Sequence, residues 1–249
     1  CAAFISFSNQ DLNAMKKINV EGTANMINSA IDKKINKFCY VSTIAAVGER
    51  KNIMIDEECK WNENNNPYSK TKHDAELEVW RGISEGLNAV IVNPGVIIGS
   101  GFWKRGSGAF ITQISRGMNY YPPGSTGFIC VKDVVKIMRD LMDKNIFSER
   151  FLLVSENWTQ KDFIFSVCNH LNLKTPQKKA SKSLMILALI LDAVRSFFLN
   201  KRRRLSSAII ESSHSKNKYS NKKITSALDY KFIEIEKSIK ETCKNYKLN

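Results

Sequence analysis

What this sequence lacks narrows it before any motif is considered. Its six cysteines (Cys1, Cys39, Cys59, Cys130, Cys168, Cys243) are scattered, with no C-x-x-C pair and no grouping with the three histidines. That argues against a disulfide framework and a zinc site, and points to reduced thiols in a cytoplasmic setting. No apolar run reaches the about 20 residues that a spanning helix needs. The longest, residues 184–199, is interrupted by Asp192 and Arg195. Internal repeats and low-complexity linkers are absent, as is a basic leader with an apolar core. The chain starts at Cys1 rather than a methionine, however, and residues 1–7 read as the end of a strand already in progress. The first strands are therefore expected to lie upstream.

Acidic residues are scarce in one region only. The 249 residues carry a formal net charge of +14. Between Lys174 and Lys223 stand thirteen Lys or Arg against Asp192 and Glu211, and the remainder is nearly balanced. Such a surface is either a solvated face or an attractor of phosphates, anionic lipid or acidic partners. The apolar stretch 184–199, followed by Lys201, Arg202, Arg203 and Arg204, sits inside it. Two readings stay open: a lobe helix covering a substrate pocket, or a peripheral membrane contact through 184–204.

Periodicity supplies the fold class. Val20, Ala24, Ile27 and Ile31 recur at helical spacing over 19–31, and Phe38 to Val41 is a short apolar run of the buried-parallel-strand kind. A polar loop over 49–67 leads to a helix over 68–85 with Gly86 as terminator. A second buried strand, 89–92, is stopped by Asn93, Pro94 and Gly95. This is β-loop-α-β, the unit of a doubly wound sheet. Further strands are expected at 128–131 and 151–154, helices at 109–117 and 133–143, and a mainly helical pattern beyond Thr159.

Tyr68 and Lys72 form a Y-x-x-x-K element whose spacing places both side chains on one helix face. A phenol with a pKa of about 10 is a poor acid or base at neutral pH, and a neighbouring ammonium is expected to favour phenolate and lower that value. The pair can then exchange a hydroxyl proton while hydride moves to or from a nicotinamide. Tyr219 and Lys223 repeat the spacing. Context chooses between them: 25 residues before Tyr68 stands Thr43, at a strand end, whereas the same step from Tyr219 reaches Val194.

Together with the segments 1–3, 19–25, 41–48, 93–99 and 127–133, these residues resemble the extended short-chain dehydrogenase/reductases, the superfamily of NAD-dependent epimerases and dehydratases. The resemblance implies an α/β fold: a Rossmann-like doubly wound parallel sheet over 1–100 and 131–155, incomplete at its N-terminus, with a smaller, mainly helical substrate lobe over 101–130 and 156–249. It implies NAD or NADP as cofactor, Tyr68 as general acid/base, Lys72 on the nicotinamide ribose, and Thr43 on the reacting oxygen, with Ser42 as the register alternative. Asn19 supports the lysine through water or merely caps its helix. Ala2 and Ala3 lie against the cofactor, and Pro94, Gly95 and Val96 beside the nicotinamide.

The family's G-x-x-G-x-x-G phosphate fingerprint occurs nowhere in this sequence. Where sugar dehydratases carry an acidic pair stand Ile44 and Ala45, so dehydration is disfavoured. The stretch resembles dihydroflavonol reductase-like and 3β-hydroxysteroid dehydrogenase-like members, which interconvert an alcohol and a ketone. A sugar epimerase that retains its NAD and a nonenzymatic dinucleotide-binding scaffold are the alternatives. A small-molecule substrate, no nucleic acid, and a homodimer through the helices flanking the sheet are expected. Phe102, Trp103 and Phe110 are expected to line the pocket.

Overall fold

A computed structural model describes residues 3–48, 53–62, 66–199, 203 and 205–247. Cys1 and Ala2, and Lys201, Arg202 and Arg204 of the basic run, lie outside the described residues. In chain order the elements are α1 (Leu12–Met15), a π-helical stretch (Lys16–Glu21), α2 (Gly22–Asp32), β1 (Phe38–Val41), β2 (Met54–Ile55) and α3 (Pro67–Ser84). They continue with β3 (Ala89–Pro94), β4 (Val96–Ile98), α4 (Gly106–Ser115), β5 (Tyr120–Tyr121), β6 (Ser125–Cys130), α5 (Val131–Asp143), β7 (Glu149–Leu153) and β8 (Glu156–Thr159). The C-terminal part holds α6 (Gln160–Leu171), β9 (Lys178–Lys179), α7 (Lys182–Leu199), α8 (Ser207–His214), β10 (Lys218–Tyr219), α9 (Lys222–Leu228) and α10 (Ile235–Lys247).

The first sheet is parallel, in the order β1-β3-β7. Alternation along β3 explains why helices flank both faces. Ala89 and Ile91 pack with Ile27 of α2 and Val79 of α3, whereas Val90 and Val92 pack with Val134, Ile137 and Leu141 of α5. A strand buried on both faces must read as a continuous apolar run, as 89–92 does. Ile224, Leu228 and Tyr230 return from the C-terminal region into this second core.

At Pro94 the chain changes sheets. The second sheet has the order β4-β6-β8, parallel between β4 and β6 and antiparallel between β6 and β8. Gly95 makes the switch, its amide donating to the Leu153 carbonyl. A Cβ there would lie 2.4 Å from the Gly127 carbonyl oxygen, so only glycine lets the two backbones cross. Helices α4, α6 and α10 cover this sheet through Ile111, Ile114, Phe163, Ile164 and Ile239.

Two expectations need correction. Residues 3–7 form no strand, because the Asn19 carboxamide takes both the Phe4 amide (2.8 Å) and the Phe4 carbonyl (2.9 Å). Asn19 caps nothing: helical backbone begins with a 3-10 turn at Asn9–Asp11, and Asn19 lies buried inside the π-helical stretch. No helix among the described residues is long and apolar enough to cross a membrane.

Candidate functional site

Helix α3 starts where its sequence dictates. Asn66 is the N-cap, its Oδ1 accepting from the amides of Tyr68 (3.0 Å) and Ser69 (3.3 Å), and Pro67 occupies the first helical position. Tyr68 and Lys72 thereby stand one turn apart on the face turned to β1. Lys72 Nζ donates to the Tyr40 hydroxyl (2.7 Å) and the Val41 carbonyl (3.1 Å), and lies 4.4 Å from the centre of the Tyr40 ring. The ammonium is almost fully buried. Burial pushes it down to about 8, with the Glu76 carboxylate pulling the other way.

Tyr68 departs from expectation. Burial pushes its phenol up to about 12 rather than down. The reason is geometric: the Lys72 ammonium is committed to Tyr40 and Val41, on β1, so nothing offsets the desolvation of the phenolate. The Tyr68 ring meets Phe7 edge-on, with centroids 6.4 Å apart, and its hydroxyl makes no hydrogen bond among the described residues.

The end of β1 is shaped by its two hydroxyl residues. The Ser42 amide donates to the Val92 carbonyl, extending the strand ladder by one residue. Thr43 then caps a 3-10 turn, Ile44–Ala46, its Oγ1 accepting from the Ala45 amide (3.2 Å). Its O–H remains a donor, and Thr43 is half-buried, whereas Ser42 is buried and its Oγ has no partner among the described residues. The Thr43 carbonyl accepts from Asn93 Nδ2 (2.9 Å), which also donates to Glu76 Oε1 (2.5 Å). Glu76 in turn is 3.4 Å from Arg150.

This buried Glu76 and Asn93 bridge ties the strand-end turn to α3 and β3, and sequence reasoning missed it. A signal was available. Glu76 follows Lys72 by four residues, so Tyr68, Lys72 and Glu76 share one face of a helix, and a carboxylate on a face packed against a sheet needs a partner.

Asn19 supports the site by a side-chain route. Its Nδ2 donates to Thr71 Oγ1 (3.2 Å), which donates to the Tyr68 carbonyl (3.0 Å). Its carbonyl accepts from Thr23 Oγ1 (2.6 Å), which is also 3.5 Å from the Tyr40 hydroxyl bound to Lys72. Ala3 is exposed, Pro94 is buried, and Gly95 and Val96 are half-buried at the crossing of the two sheets.

A cavity of about 560 Å³ opens beside Phe7. One wall is the segment Phe4 to Asp11; the other is Leu189 of α7, Arg203 and residues 205–209. Phe102, Trp103 and Phe110 line neither this cavity nor the two smaller ones among the described residues. Phe102 and Phe110 are exposed, and Trp103 packs edge-on against Tyr246, 5.0 Å between centroids. The second Y-x-x-x-K copy is also elsewhere. Tyr219 is buried in β10, and Lys223 lies in a different element, the first turn of α9, where it pairs with Glu149.

Comparison with known proteins adds family to geometry. The profile described as the NAD dependent epimerase/dehydratase family matches residues 1–151. Sterol demethylase protein B of Methylococcus capsulatus is 30% identical over 164 residues, which make up 64% of this chain and 49% of that protein. The chain therefore spans about half the length of the curated relative it matches. Among solved structures, UDP-glucose 4-epimerase of Thermotoga maritima aligns with a TM-score of 0.78 at 17% identity, covering 100% of this chain and 76% of that one. For dTDP-glucose 4,6-dehydratase of Streptomyces venezuelae with NAD bound, the figures are 0.76, 16%, 100% and 72%. At such identities the likeness is one of fold.

Proposed function

The chain belongs to the NAD dependent epimerase/dehydratase family, and on that premise we propose that it serves an NAD(P)-linked interconversion of an alcohol and a ketone. The observation that carries this reading is the placing of Tyr68 and Lys72 on one turn of α3, beside the strand end that presents Thr43. The residues fit the nicotinamide-ribose half of such a cofactor. An ammonium has three donors, and Lys72 uses two of them. The third, with the unpartnered Tyr68 hydroxyl, would meet the ribose hydroxyls, and Pro94, Gly95 and Val96 would border the nicotinamide. For the pyrophosphate no fit is offered, since the glycine fingerprint does not occur in this sequence. When bound, the cofactor supplies or accepts the hydride.

The protein's own groups handle the proton. With its phenol held protonated through neutral pH, Tyr68 gives its proton to the carbonyl oxygen of a ketone, and Thr43 O–H donates a hydrogen bond to that same oxygen. Lys72, still an ammonium below about 8, keeps its third donor for the ribose hydroxyls and so would hold the nicotinamide end beside Tyr68. In this reading reduction is the direction served at neutral pH, because the reverse reaction needs the phenolate first.

The cavity lining is mixed, with Phe4, Ile5, Phe7, Leu189 and Leu205 beside Ser6, Ser8, Asn9, Gln10, Asp11 and Arg203, so a substrate with an apolar body and a few polar groups suits it. The name of the Methylococcus capsulatus relative speaks of a sterol, an alcohol of that chemical kind. The test is cofactor turnover. Reduction of an apolar ketone with stoichiometric loss of nicotinamide absorbance supports the reading. Conversion of a nucleotide sugar with no net change in reduced cofactor would replace it with an epimerase.

A further inference from the structure

Helix α7 is turned inside out for a helix of a globular lobe. Beyond Lys182 at its start, its two charged residues turn towards the protein: Asp192 is buried, accepts from Arg195 at 2.7 Å, and receives the Leu205 amide at 3.0 Å. Leu189 points the same way, into the cavity wall. The opposite side presents Ile186, Leu187, Ile190, Leu191 and Val194, all exposed. At 100° per residue these fall on one continuous stripe about 140° wide, a whole helix face of aliphatic side chains in contact with solvent. A stripe of that breadth signals an interaction surface rather than scattered surface leucines.

Cations gather at one end of the stripe. At the N-terminal end a second cavity, of about 400 Å³, is lined by Pro123, Lys179, Ser181, Lys182, His214 and Lys216. No carboxylate lines it. At the other end Arg203 follows the helix, in the wall of the larger cavity rather than on the stripe. The acidic residues of the region are Asp192, committed to Arg195, and Glu211, on α8.

We propose that α7 is a membrane-docking helix, lying in the interface of a bilayer that carries anionic phospholipid, with lipid phosphates met by Lys179, Lys182 and Lys216. Charge decides the occupant. A second copy of the chain would bring two strongly cationic surfaces together, whereas anionic headgroups neutralise the cations while the acyl region takes up the aliphatic stripe. Charges that would obstruct insertion are those the fold has turned inward. The docking is independent of the reaction proposed above, although Leu189 on the inner side of the same helix places the cavity wall one helix diameter from the lipid.

Co-sedimentation with vesicles of phosphatidylcholine plus phosphatidylglycerol, against phosphatidylcholine alone, tests this. The protein is expected to pellet with the anionic vesicles, to be partly released by salt, and to remain largely in solution with the neutral ones. Leu187→Glu with Leu191→Glu should lower the bound fraction at least about tenfold, with an unchanged far-UV circular dichroism spectrum. Lys179→Gln with Lys182→Gln, which leaves the stripe intact, should weaken binding to anionic vesicles only. The proposal is overturned if no vesicle binds, if neutral and anionic vesicles bind alike, or if neither double variant changes binding. It is also overturned if the protein forms a dimer that the Leu187→Glu and Leu191→Glu pair dissociates.

Discussion

Tyr68 and Lys72 lie in one capped helix, the lysine buried and reaching across to β1, the phenol half-buried and left without a partner among the described residues. Tyr219 and Lys223 have the same spacing, yet a strand holds one and a separate helix the other. Tyr219 is fixed on both sides of its backbone by Asn157 (2.8 Å each way) and packs among Val47, Ile55 and Leu152. Lys223 lies in partial contact with solvent, over the Phe151 ring and against Glu149. The difference teaches that a four-residue spacing can serve the proposed chemistry only when both residues belong to one helix and keep spare hydrogen-bonding capacity there.

The sharpest way to break the comparison is to remove each phenol in turn. Tyr68→Phe is expected to lower kcat by about 10²- to 10⁴-fold, the usual worth of a positioned acid, whereas Tyr219→Phe should leave kcat within a factor of about two and act only on stability. Steady-state kinetics of both variants decide it. Equal losses in the two would mean that the site assignment is wrong.

Lys72→Met comes next. A buried ammonium whose pKa is brought down to about 8 is a charge that folding must desolvate. Below that pH the folded state therefore carries a penalty, which fades as pH rises from about 8 towards the unfolded value of 10.5. Methionine removes the penalty and leaves Tyr40 and Val41 short of a donor. The net expectation is a protein about 1–2 kcal/mol more stable at pH 7 and at least about tenfold slower. Denaturant unfolding beside kinetics measures both, and a destabilised variant would contradict the account of the buried charge.

How far the sequence foretold this arrangement depended on how local the physics is. The strand over 38–41 was legible because a buried parallel strand must be continuously apolar, and the helix over 68–85 by its periodicity, although Pro67, expected in the loop, is in fact its first residue behind the Asn66 cap. Thr43 could be found by counting from Tyr68. What stayed hidden was set by distant partners. The aromatic residues after Gly99 could not be told apart as pocket, core or surface, since apolar character is common to all three. The cavity wall at 4–11 has no period to betray it. The raised phenol depends on where Lys72 points, which is decided by Tyr40, 32 residues away in the chain.

That tyrosine gives the third prediction. Tyr40→Phe keeps the ring under the ammonium and removes the oxygen that accepts from it. The charged form of Lys72 loses support, so the pKa falls further. Reductive activity, expected to decline as pH rises through about 8 in the unaltered protein, should begin its decline roughly one lower on the pH scale. At pH 6 the two proteins should differ little, because the ammonium is present in both. An unshifted profile would show that Tyr40 plays no part in holding the charge.

Lys223→Met has the smallest expected effect and is the cleanest contrast to Lys72→Met. The Lys223 and Glu149 side chains are 32% and 47% exposed, so water already solvates both ends of the pair and salt screens it. Methionine keeps an apolar stem over Phe151, where the ammonium now lies 5.0 Å from the ring centre, and the contact with α9 survives. A change in unfolding free energy within about 0.5 kcal/mol is expected, shrinking as salt is added, with kcat unaltered. A loss several times larger would mean that this outer lysine is as deeply committed to the fold as the inner one, and that burial is not what separates the two copies.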